Sequence, residues 1–402
     1  MLNAEIVNKD EEIIRFVDEL LENALRQGVE KIHLEPQATS TRVRFRKNGK
    51  LFVAEGYENI PKQLHQYIIA RVKTLSLTMK LDIKDRPQDG RIVCKILDRS
   101  ISLSVLSYPT IHGESILFYK INTFADMDRI TIEDLLNNDI ELIGNYKRIL
   151  NKREGLIMFT GPVGSGKSTF VNAAIKELAD PGIKIVTVES PVEVELNDTE
   201  QIKILNGEGM LSAFTRQACR CDTDILYISE LRDHDTAHIA LEVCRSPGVM
   251  VLSTKHTYDS ISTLFNFTEM GIKEYLTASG LQLVVALRVD PKLCPHCRET
   301  ADHSQTELKS LGLTDADIKN NKFYKIKGCD KCFGTGYIGK VAIVEMLELT
   351  KNIRDAFVKG ADYAEIEKIS REEGVYHSLK DDALRKFIKG DIDIKGVQWI
   401  VV

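Results

Sequence analysis

The sequence predicts an α/β protein built from two domains, and three observations support this fold class. The 402 residues are enough for two or three domains, since one domain usually takes about 100–200 residues. Residues 1–122 combine amphipathic helices with short alternating strands. Beyond residue 150, short apolar runs alternate with helical segments, which is typical of a parallel sheet covered by helices. We therefore expect an N-terminal α+β domain over 1–122, a linker over 123–149 and a larger α/β domain over 150–402.

The composition limits the class of protein. The 54 Lys+Arg and 59 Asp+Glu residues give a formal net charge of -5, whereas dedicated nucleic-acid binders usually carry a basic excess. No uncharged apolar run approaches the roughly 18–20 residues that span a bilayer, and the acidic N-terminus lacks the basic start of a signal peptide. Eight cysteines without an export signal favour a reducing compartment. We expect a cytoplasmic protein without a nucleic-acid partner.

The N-terminal domain begins with a predicted helix. Apolar residues recur at helical spacing from Ile13 to Leu25, and Gly28 predicts the end of the helix. Asn48-Gly49 between two strand-like runs predicts a tight hairpin turn. Basic residues of this hairpin could contact phosphates, although a solvated strand face is the simpler interpretation. The strands and the second helix are expected at 42–46, 51–53, 65–76, 91–95, 101–105 and 115–120.

Four apolar runs predict the buried parallel strands of the larger domain. A cysteine-bearing insertion over 291–340 follows them, and residues 351–402 are mainly helical in pattern. The four runs are Leu156–Phe159, Ile183–Val188, Ile225–Ile228 and Val249–Leu252.

Residues 161–168 read G-P-V-G-S-G-K-S and fit the phosphate-loop pattern G-x-x-x-x-G-K-[ST]. The segment follows a predicted strand and precedes a predicted helix, so backbone N–H groups and the helix N-terminus would surround phosphate oxygens. Lys167 would neutralise the β- and γ-phosphates, and the Ser168 hydroxyl would ligate Mg²⁺. The sequence therefore predicts a nucleotide site formed by Gly161, Pro162, Val163, Gly164, Ser165, Gly166, Lys167, Ser168 and Thr169.

Hydrolysis requires a carboxylate near the phosphates, at the carboxyl end of a neighbouring strand. Glu189 and Glu230 each follow a predicted strand, and a third strand leads to His256, where a group that senses the γ-phosphate would lie. Taken singly, such residues are usually a solvated acid or a structural histidine. Their position at three successive strand ends beside a phosphate loop predicts that they line the site.

Two C-x-x-C pairs predict a metal centre. Each pair, Cys294 with Cys297 and Cys329 with Cys332, places two thiolates on one side of a tight turn. Two such pairs make a tetrahedral four-sulfur shell that suits Zn²⁺. The alternative is a set of redox or structural thiols. The other cysteines lack comparable spacing and are expected to be ordinary core or surface residues: Cys94, Cys219, Cys221 and Cys244.

Together these motifs resemble those of the secretion and type IV pilus assembly ATPases, over nearly the whole chain. The family motifs S-D-I-H-I-E-P, L-P-T-x-H-G-E, V-E-D-P-V-E, G-E-I-R-D and S-T-L-H-T-N-D each have a counterpart, in the same order. The five matching segments are K-I-H-L-E-P at 31–36, Y-P-T-I-H-G-E at 108–114, V-E-S-P-V-E at 188–193, S-E-L-R-D at 229–233 and S-T-K-H-T-Y-D at 253–259. A sixth segment of the small domain, R-P-Q-D-G-R at 86–91, also resembles the family.

The resemblance implies a RecA-like motor domain in a cytoplasmic ring, usually a hexamer, that reaches the inner membrane through an inner-membrane platform protein. ATP and Mg²⁺ would bind at Lys167 and Ser168. Glu230 would position the attacking water, Glu189 would support the metal and the water, and His256 would sense the γ-phosphate. A four-cysteine element is typical of the extension and secretion branch. The implied function is thus ATP hydrolysis that powers type IV pilus assembly or type II secretion.

Several positions depart from the family pattern. Ser104 and Tyr119 stand at the two positions where the small domain of the family presents arginines, Ser190 stands at an Asp, Val249 at a His, and Lys255 and Tyr258 at Leu and Asn. Arg86, Arg91 and Arg99 are the candidates to replace those arginines, and Arg232 is expected to couple the site to a neighbouring subunit.

These departures leave an alternative open: a nucleotide-binding scaffold or regulatory subunit that hydrolyses ATP slowly, in a ring mixed with a complete paralogue. A zinc-bearing DNA-processing ATPase is a third alternative, against which the near-neutral charge counts. We also expect a short form of the family that lacks the preceding docking domain of longer members, as among competence-pilus ATPases.

Overall fold

The computed structural model describes residues 9–47, 50–76, 78–96, 99–121, 130–190, 192–204, 210–245, 247–332 and 334–401. The chain divides into two compact units between Thr123 and Phe124.

The first unit is an antiparallel sheet whose apolar face packs against two helices, Lys9–Arg26 and Lys62–Leu75. The strands lie in the order β3-β2-β1-β7-β6-β5, and β4 pairs with β2. Side chains alternate between the core and the opposite face, as expected for a half-buried sheet. The strands are β1 (Lys31–Pro36), β2 (Ser40–Lys47), β3 (Lys50–Val53), β4 (Ile60–Pro61), β5 (Gln88–Ile96), β6 (Arg99–Thr110) and β7 (Gly113–Ile121).

The face opposite the core carries the basic residues of the first hairpin. Lys31 lies opposite Arg46, and Arg44 forms an ion pair with Glu35. The predicted Asn48-Gly49 turn lies outside the described residues, although the strands on either side of it pair as expected.

The Y-P-T-I-H-G-E segment ends in a buried ion pair. Glu114 lies 2.5 Å from Lys73 Nζ and accepts a hydrogen bond from Ser107 Oγ at 2.9 Å. His65 binds the backbone carbonyl of Glu114 through Nε2 at 2.8 Å. This part of the motif therefore stabilises the first unit from within.

The second unit contains an eight-stranded sheet in the order β10-β9-β11-β12-β8-β13-β16-β17. The first six strands are parallel, whereas β16 and β17 are antiparallel to their neighbours. The edge strands are short, with four residues in β10 and two in β17. The strands are β8 (Gly155–Thr160), β9 (Ile185–Glu189), β10 (Glu200–Lys203), β11 (Ile225–Ile228), β12 (Met250–Lys255), β13 (Leu281–Leu293), β16 (Tyr337–Glu348) and β17 (Tyr376–His377). A separate antiparallel pair consists of β14 (Glu299–Thr300) and β15 (Tyr324–Lys325).

Helices cover both faces of this sheet, so the central strands are buried on both sides and read as continuous apolar runs. The predicted α/β fold with four parallel strands is confirmed. Within the described ranges, none of the helices is long and apolar enough to span a bilayer. The helices are Ile132–Leu135, Ile140–Leu150, Lys167–Leu178, Met210–Ala218, His234–Val243, Ser260–Glu269, Glu274–Gly280, Gln305–Leu311, Asp315–Asn320, Lys351–Val358, Tyr363–Glu372, Leu379–Lys389 and Ile394–Val401.

The stretch expected as a linker, 123–149, differs from that expectation. Its described part contains two helices whose buried residues, including Ile132 and Tyr146, pack with Phe170 in the core of the second unit. The first of these helices has only four residues, which is too short to show a helical period in the sequence.

Candidate nucleotide site and metal centre

The phosphate loop joins β8 to the helix Lys167–Leu178, as the sequence predicts. Gly161, Gly164 and Gly166 have φ angles of 141°, 80° and 92°, which favour glycine. A Cβ atom on Gly161 would lie 2.4 Å from the carbonyl oxygen of Leu287 on β13, so only glycine fits there. The helix starts at Gly166 without a side-chain cap among the described residues. The N–H groups of its first turn are therefore suited to bind an anion.

Lys167 is half-buried against the carbonyl oxygens of its own loop. Its Nζ donates to Gly161 O at 2.7 Å and to Pro162 O at 2.9 Å. Burial lowers the pKa of Lys167, and the nearby Glu230 and Glu193 oppose this shift. The ammonium thus lies at the mouth of the loop, held by neutral acceptors that a charged phosphate oxygen would outcompete.

His256 connects the phosphate loop with Glu230. Its Nδ1 lies 3.1 Å from Gly161 O and 3.4 Å from Lys167 Nζ, and its Nε2 lies 3.5 Å from Glu230 Oε1. Because a carbonyl only accepts and an ammonium only donates, Nδ1 can make one of these two contacts at a time, depending on the tautomer of the ring. The structure therefore brings together Lys167, Glu230 and His256, three of the residues that the sequence singles out.

Glu230 follows β11 and is largely buried, with 15% of its side chain exposed. Arg232 Nε donates to Glu230 Oε2 at 2.7 Å, while Oε1 faces His256. The Arg232 side chain is 72% exposed. Arg232 thus contacts the carboxylate within its own chain, and its expected coupling to a neighbouring subunit remains a prediction.

Glu189 ends β9 and is buried. Its Oε1 accepts from Thr187 Oγ1 at 2.7 Å and from Gln201 Nε2 at 2.9 Å. Burial raises the pKa of Glu189, and these two hydrogen bonds partly offset the shift. In the described part of the chain, the hydrogen bonds that orient this carboxylate come from its own strand, β10 and the 189–193 segment rather than from Lys167, Glu230 or His256.

Other residues of the predicted nucleotide site occupy different environments. Val163 is 88% exposed at the tip of the loop. Ser165 is buried, and its Oγ has no hydrogen-bond partner among the described residues. Ser168 and Thr169 are half-buried in the first turn of the helix, where the sequence places them. These positions are compatible with phosphate and Mg²⁺ binding.

Arg91 belongs to the first unit, in the same sheet as Ser104 and Tyr119, the two positions where the resemblance leads one to expect arginines. It lies opposite Ser104 on β6, which in turn lies opposite Tyr119 on β7. Residues directly opposite each other share a face of a sheet, so the three positions form one row. The side chain of Arg99, another candidate, lies outside the described residues.

Sequence reasoning missed two residues that support the site. Arg288 on β13 donates to Leu287 O at 2.9 Å and to Tyr258 O at 2.6 Å, so it joins the strand beside Gly161 to the segment that follows His256. Gln201 on the edge strand orients Glu189. Both contacts depend on strand neighbours that are distant in sequence, and nothing in the local pattern signals them.

The two C-x-x-C pairs meet in one cluster, as predicted. The four sulfur atoms of Cys294, Cys297, Cys329 and Cys332 lie within 4.8 Å of one another. The separations are 3.9 Å for Cys294–Cys329, and 3.8 Å for both Cys297–Cys332 and Cys329–Cys332. Four thiolates around Zn²⁺, at Zn–S distances of about 2.3 Å, would be about 3.8 Å apart. The sulfur spacing therefore fits a tetrahedral zinc site.

Backbone groups orient the thiolate of Cys332. The N–H groups of Cys329 and Gly336 lie 3.1 Å and 3.2 Å from Cys332 Sγ. Burial alone would raise the pKa of Cys332, but these N–H groups contribute to lowering it to about 6. Such N–H contacts to a ligand sulfur are expected around a metal-binding thiolate.

The insertion between the two cysteine pairs has structure of its own. It contains two short helices between the paired strands β14 and β15, and Leu308 and Phe323 pack with Val341 and Phe387. Outside the cluster, Cys244 is buried and Cys219 and Cys221 are half-buried, whereas the side chain of Cys94 lies outside the described residues.

Comparison with known proteins identifies relatives along the whole length of the chain. The type IV pilus assembly ATPase PilB of Thermus thermophilus is 32% identical over 388 residues, which are 95% of this chain and 42% of the relative. PilB of Pseudomonas aeruginosa is 33% identical over 400 residues, 97% of this chain and 68% of the relative. The type II secretion system protein E of Xanthomonas campestris is 31% identical, over 96% of this chain and 66% of the relative.

Solved structures share the fold. The ATPase DotB of Legionella pneumophila superposes with a TM-score of 0.69 at 18% identity, covering 100% of this chain and 97% of DotB. The pilus retraction motor PilT gives a TM-score of 0.64 at 16% identity, covering 95% of this chain and 96% of PilT. A family model described as "Type II/IV secretion system protein" matches residues 7–398. The chain therefore belongs to the type II/IV secretion system protein family.

Proposed function

We propose that this chain is an ATP-hydrolysing motor that powers type IV pilus assembly or type II secretion. The observation that carries the proposal is the convergence of Lys167, His256 and Glu230 at the phosphate loop, with His256 within 3.5 Å of the other two residues. The names of the relatives, which include pilus assembly ATPases and type II secretion proteins, support the same function.

Each residue has a distinct part in the proposed reaction. Lys167 exchanges its two loop carbonyls for oxygens of the β- and γ-phosphates, because charge-assisted hydrogen bonds are stronger than neutral ones. Ser168, one residue further along the helix, would hold Mg²⁺, which when bound neutralises charge on the phosphates. Glu230 orients the attacking water and accepts its proton. His256 lies between the loop carbonyl and Glu230, where it would respond to the γ-phosphate.

Three further residues have proposed supporting parts. Glu189 supports the metal and its water shell from the end of β9, where Thr187 and Gln201 hold it. Arg232 and Arg91 are proposed to couple the site to neighbouring subunits. Arg91 would act from the row it shares with Ser104 and Tyr119, where the family presents arginines.

We also propose that the four-cysteine cluster holds one structural Zn²⁺. Three sulfur separations of 3.8–3.9 Å, with all four sulfur atoms within 4.8 Å of one another, support a closed tetrahedral shell rather than a redox pair. A closed shell would leave no ligand position for catalysis, so the metal would stabilise the insertion and the start of β16.

The proposed setting is a cytoplasmic hexamer that is peripheral to the inner membrane and meets a platform protein there. A mixed ring with a second family member is the alternative setting. The relatives' names and the membership of the family support this setting. No feature of the described residues specifically favours the alternative of a slow scaffold subunit.

The test is Mg²⁺-dependent ATP turnover by the full chain in an oligomer of verified size. Lys167→Ala should reduce turnover at least about 10³-fold and weaken nucleotide binding, because it removes the cation at the mouth of the loop. Lys152→Ala is the matched control, since Lys152 is an exposed lysine of the same unit and should leave turnover unchanged. Tight ATP binding by the wild-type chain without turnover would contradict the proposed function.

A further inference from the structure

Three consecutive residues at the end of β12 bind the segment that carries Glu230. Ser253 Oγ donates to Ile228 O at 2.7 Å, and Thr254 Oγ1 donates to Ser229 O at 2.5 Å. Lys255 Nζ donates to Leu231 O at 2.7 Å. Three neighbouring side chains thus hold carbonyl groups on both sides of Glu230.

The third of these contacts comes from a buried lysine. Lys255 is only 6% exposed, and its Nζ also lies 2.8 Å from Met270 Sδ and 5.7 Å from the centre of the Phe267 ring. Burial lowers the pKa of Lys255, and the acidic groups of Glu230 and others oppose this shift. A neutral amine keeps two N–H donors, so the bond to Leu231 survives either protonation state.

Burying an apolar side chain in this space would cost less free energy than burying the Lys255 amino group. Burying an amino group is unfavourable unless it makes a specific contact. Leucine or methionine could replace the packing of Lys255 on the Phe267 ring. Among the described residues, Nζ donates to Met270 Sδ and to Leu231 O, and the thioether is the weaker acceptor of the two. The bond to Leu231 O is therefore the contact for which a donor matters most.

From this geometry we infer that Lys255 is a positioning residue, which holds the 229–231 segment so that Glu230 faces His256 at the phosphate loop. The backbone of Leu231 is bound from both sides, since its N–H donates to Thr254 O at 3.1 Å while its carbonyl accepts from Lys255. Glu230, the preceding residue, depends on this peptide for its direction. The inference rests on the proposed function, because it assigns Lys255 to the orientation of the proposed catalytic carboxylate.

Lys255→Met tests the inference, because methionine keeps the length and the contacts with Phe267 but lacks the donor. We expect hydrogen exchange in the 229–233 peptide to become at least about tenfold faster, since the bond to the Leu231 carbonyl is lost. We expect kcat for ATP to fall about tenfold, because a displaced catalytic group slows chemistry. The Kd for ATP should stay within about twofold. The thermal midpoint should not fall, because an apolar side chain replaces a buried amine.

Two further variants complete the test. Lys273→Met removes an exposed lysine at the start of the helix Glu274–Gly280 and should change neither exchange nor turnover. Lys255→Leu also removes the donor and should behave like Lys255→Met. Loss of stability with equal changes in kcat and Kd would instead indicate a structural role and overturn the inference.

Different results would overturn the positioning role of Lys255 and the proposed ATP hydrolysis. Unchanged exchange at 229–233 in Lys255→Met would overturn the positioning role whatever the turnover. Faster exchange with unchanged kcat would also overturn it. A wild-type chain that binds ATP without hydrolysing it would overturn the proposed function, while the exchange measurement would still report on the Leu231 contact.

Discussion

The nucleotide site and the cysteine cluster lie beside the same strand, β13, but their polar groups are held differently. The cysteine sulfurs come from two turns and already have the spacing of a tetrahedral shell. At the phosphate loop, Lys167 binds loop carbonyls and Glu230 binds Arg232, so a nucleotide must replace existing contacts. These arrangements suit the cysteine cluster to permanent ligation of the proposed metal and the phosphate loop to exchange of ligands. We therefore expect substitutions in the cysteine cluster mainly to change stability, and those in the nucleotide site mainly to change turnover.

Glu230→Gln should show most clearly that a substitution at the nucleotide site changes turnover. Glutamine keeps the size and can still accept from Arg232, but it lacks the charge and the basicity that proton transfer requires. We expect kcat to fall roughly 10²–10³-fold with little change in nucleotide Kd. Steady-state phosphate release and equilibrium binding of labelled ATP measure the two effects. Glu195→Gln, an exposed acid of the same unit, is the control. Parallel losses of binding and turnover would contradict the division of roles.

Cys294→Ser should instead lower zinc content and stability and leave turnover nearly unchanged. A three-thiolate site loses the contribution of the metal to folding, so bound zinc should fall from about one per chain to near zero. The free energy of unfolding should fall by roughly 3 kcal/mol or more, whereas kcat should change less than about threefold. Elemental analysis and denaturant unfolding measure these effects, and a chelator should reproduce the loss of stability in the wild-type chain.

Cys244→Ser is the matched control for the metal site. Cys244 is also buried, and burial raises the pKa of its thiol to about 12, so it remains a neutral core residue. Zinc content should be unchanged in this variant. Equal zinc in Cys294→Ser and the wild-type chain would remove the assignment of the cluster as a metal site.

Glu189→Gln should have the smallest effect on turnover. Its stability relative to the wild-type chain should depend on pH. Because burial raises the pKa of Glu189 above its usual value of 4.5, the folded state holds this proton more tightly than the unfolded state. Its contribution to stability is therefore lost as pH rises from about 4.5 through the raised pKa. The variant should gain stability relative to the wild-type chain at pH 8 and lose this advantage near pH 4.

The activity of Glu189→Gln should fall only about tenfold, less than that of Glu230→Gln, because Thr187 and Gln201 still bind the amide oxygen and His256 is not disturbed. Denaturant unfolding at several pH values, together with ATP turnover, checks both parts. A stability difference independent of pH would show that Glu189 is not the group responsible.

Much of the fold and the site follows from local sequence. The phosphate loop was predictable because its glycines, Lys167 and the following helix are consecutive in the chain. Glu230 and His256 were predictable because parallel strands bring their carboxyl ends to one edge of the sheet. The cysteine cluster was predictable because each pair forms its own turn.

The remaining features depend on contacts between distant segments. The bonds of Lys255 to Leu231, of Gln201 to Glu189 and of Arg288 to Tyr258 each join different strands or loops. A strand of four residues such as β10 gives little periodic signal, and the helices at 132–150 are recognisable mainly from the core that they enter.

The short edges of the eight-stranded sheet restrict how copies of the chain could associate. β10 has four residues, with exposed Glu200 and Lys203, and β17 has two. Strand addition needs a long row of free backbone groups, and short or charged edges discourage it. Copies of the second unit would therefore associate through side-chain surfaces rather than through these two edges, so that each copy keeps its own eight-stranded sheet.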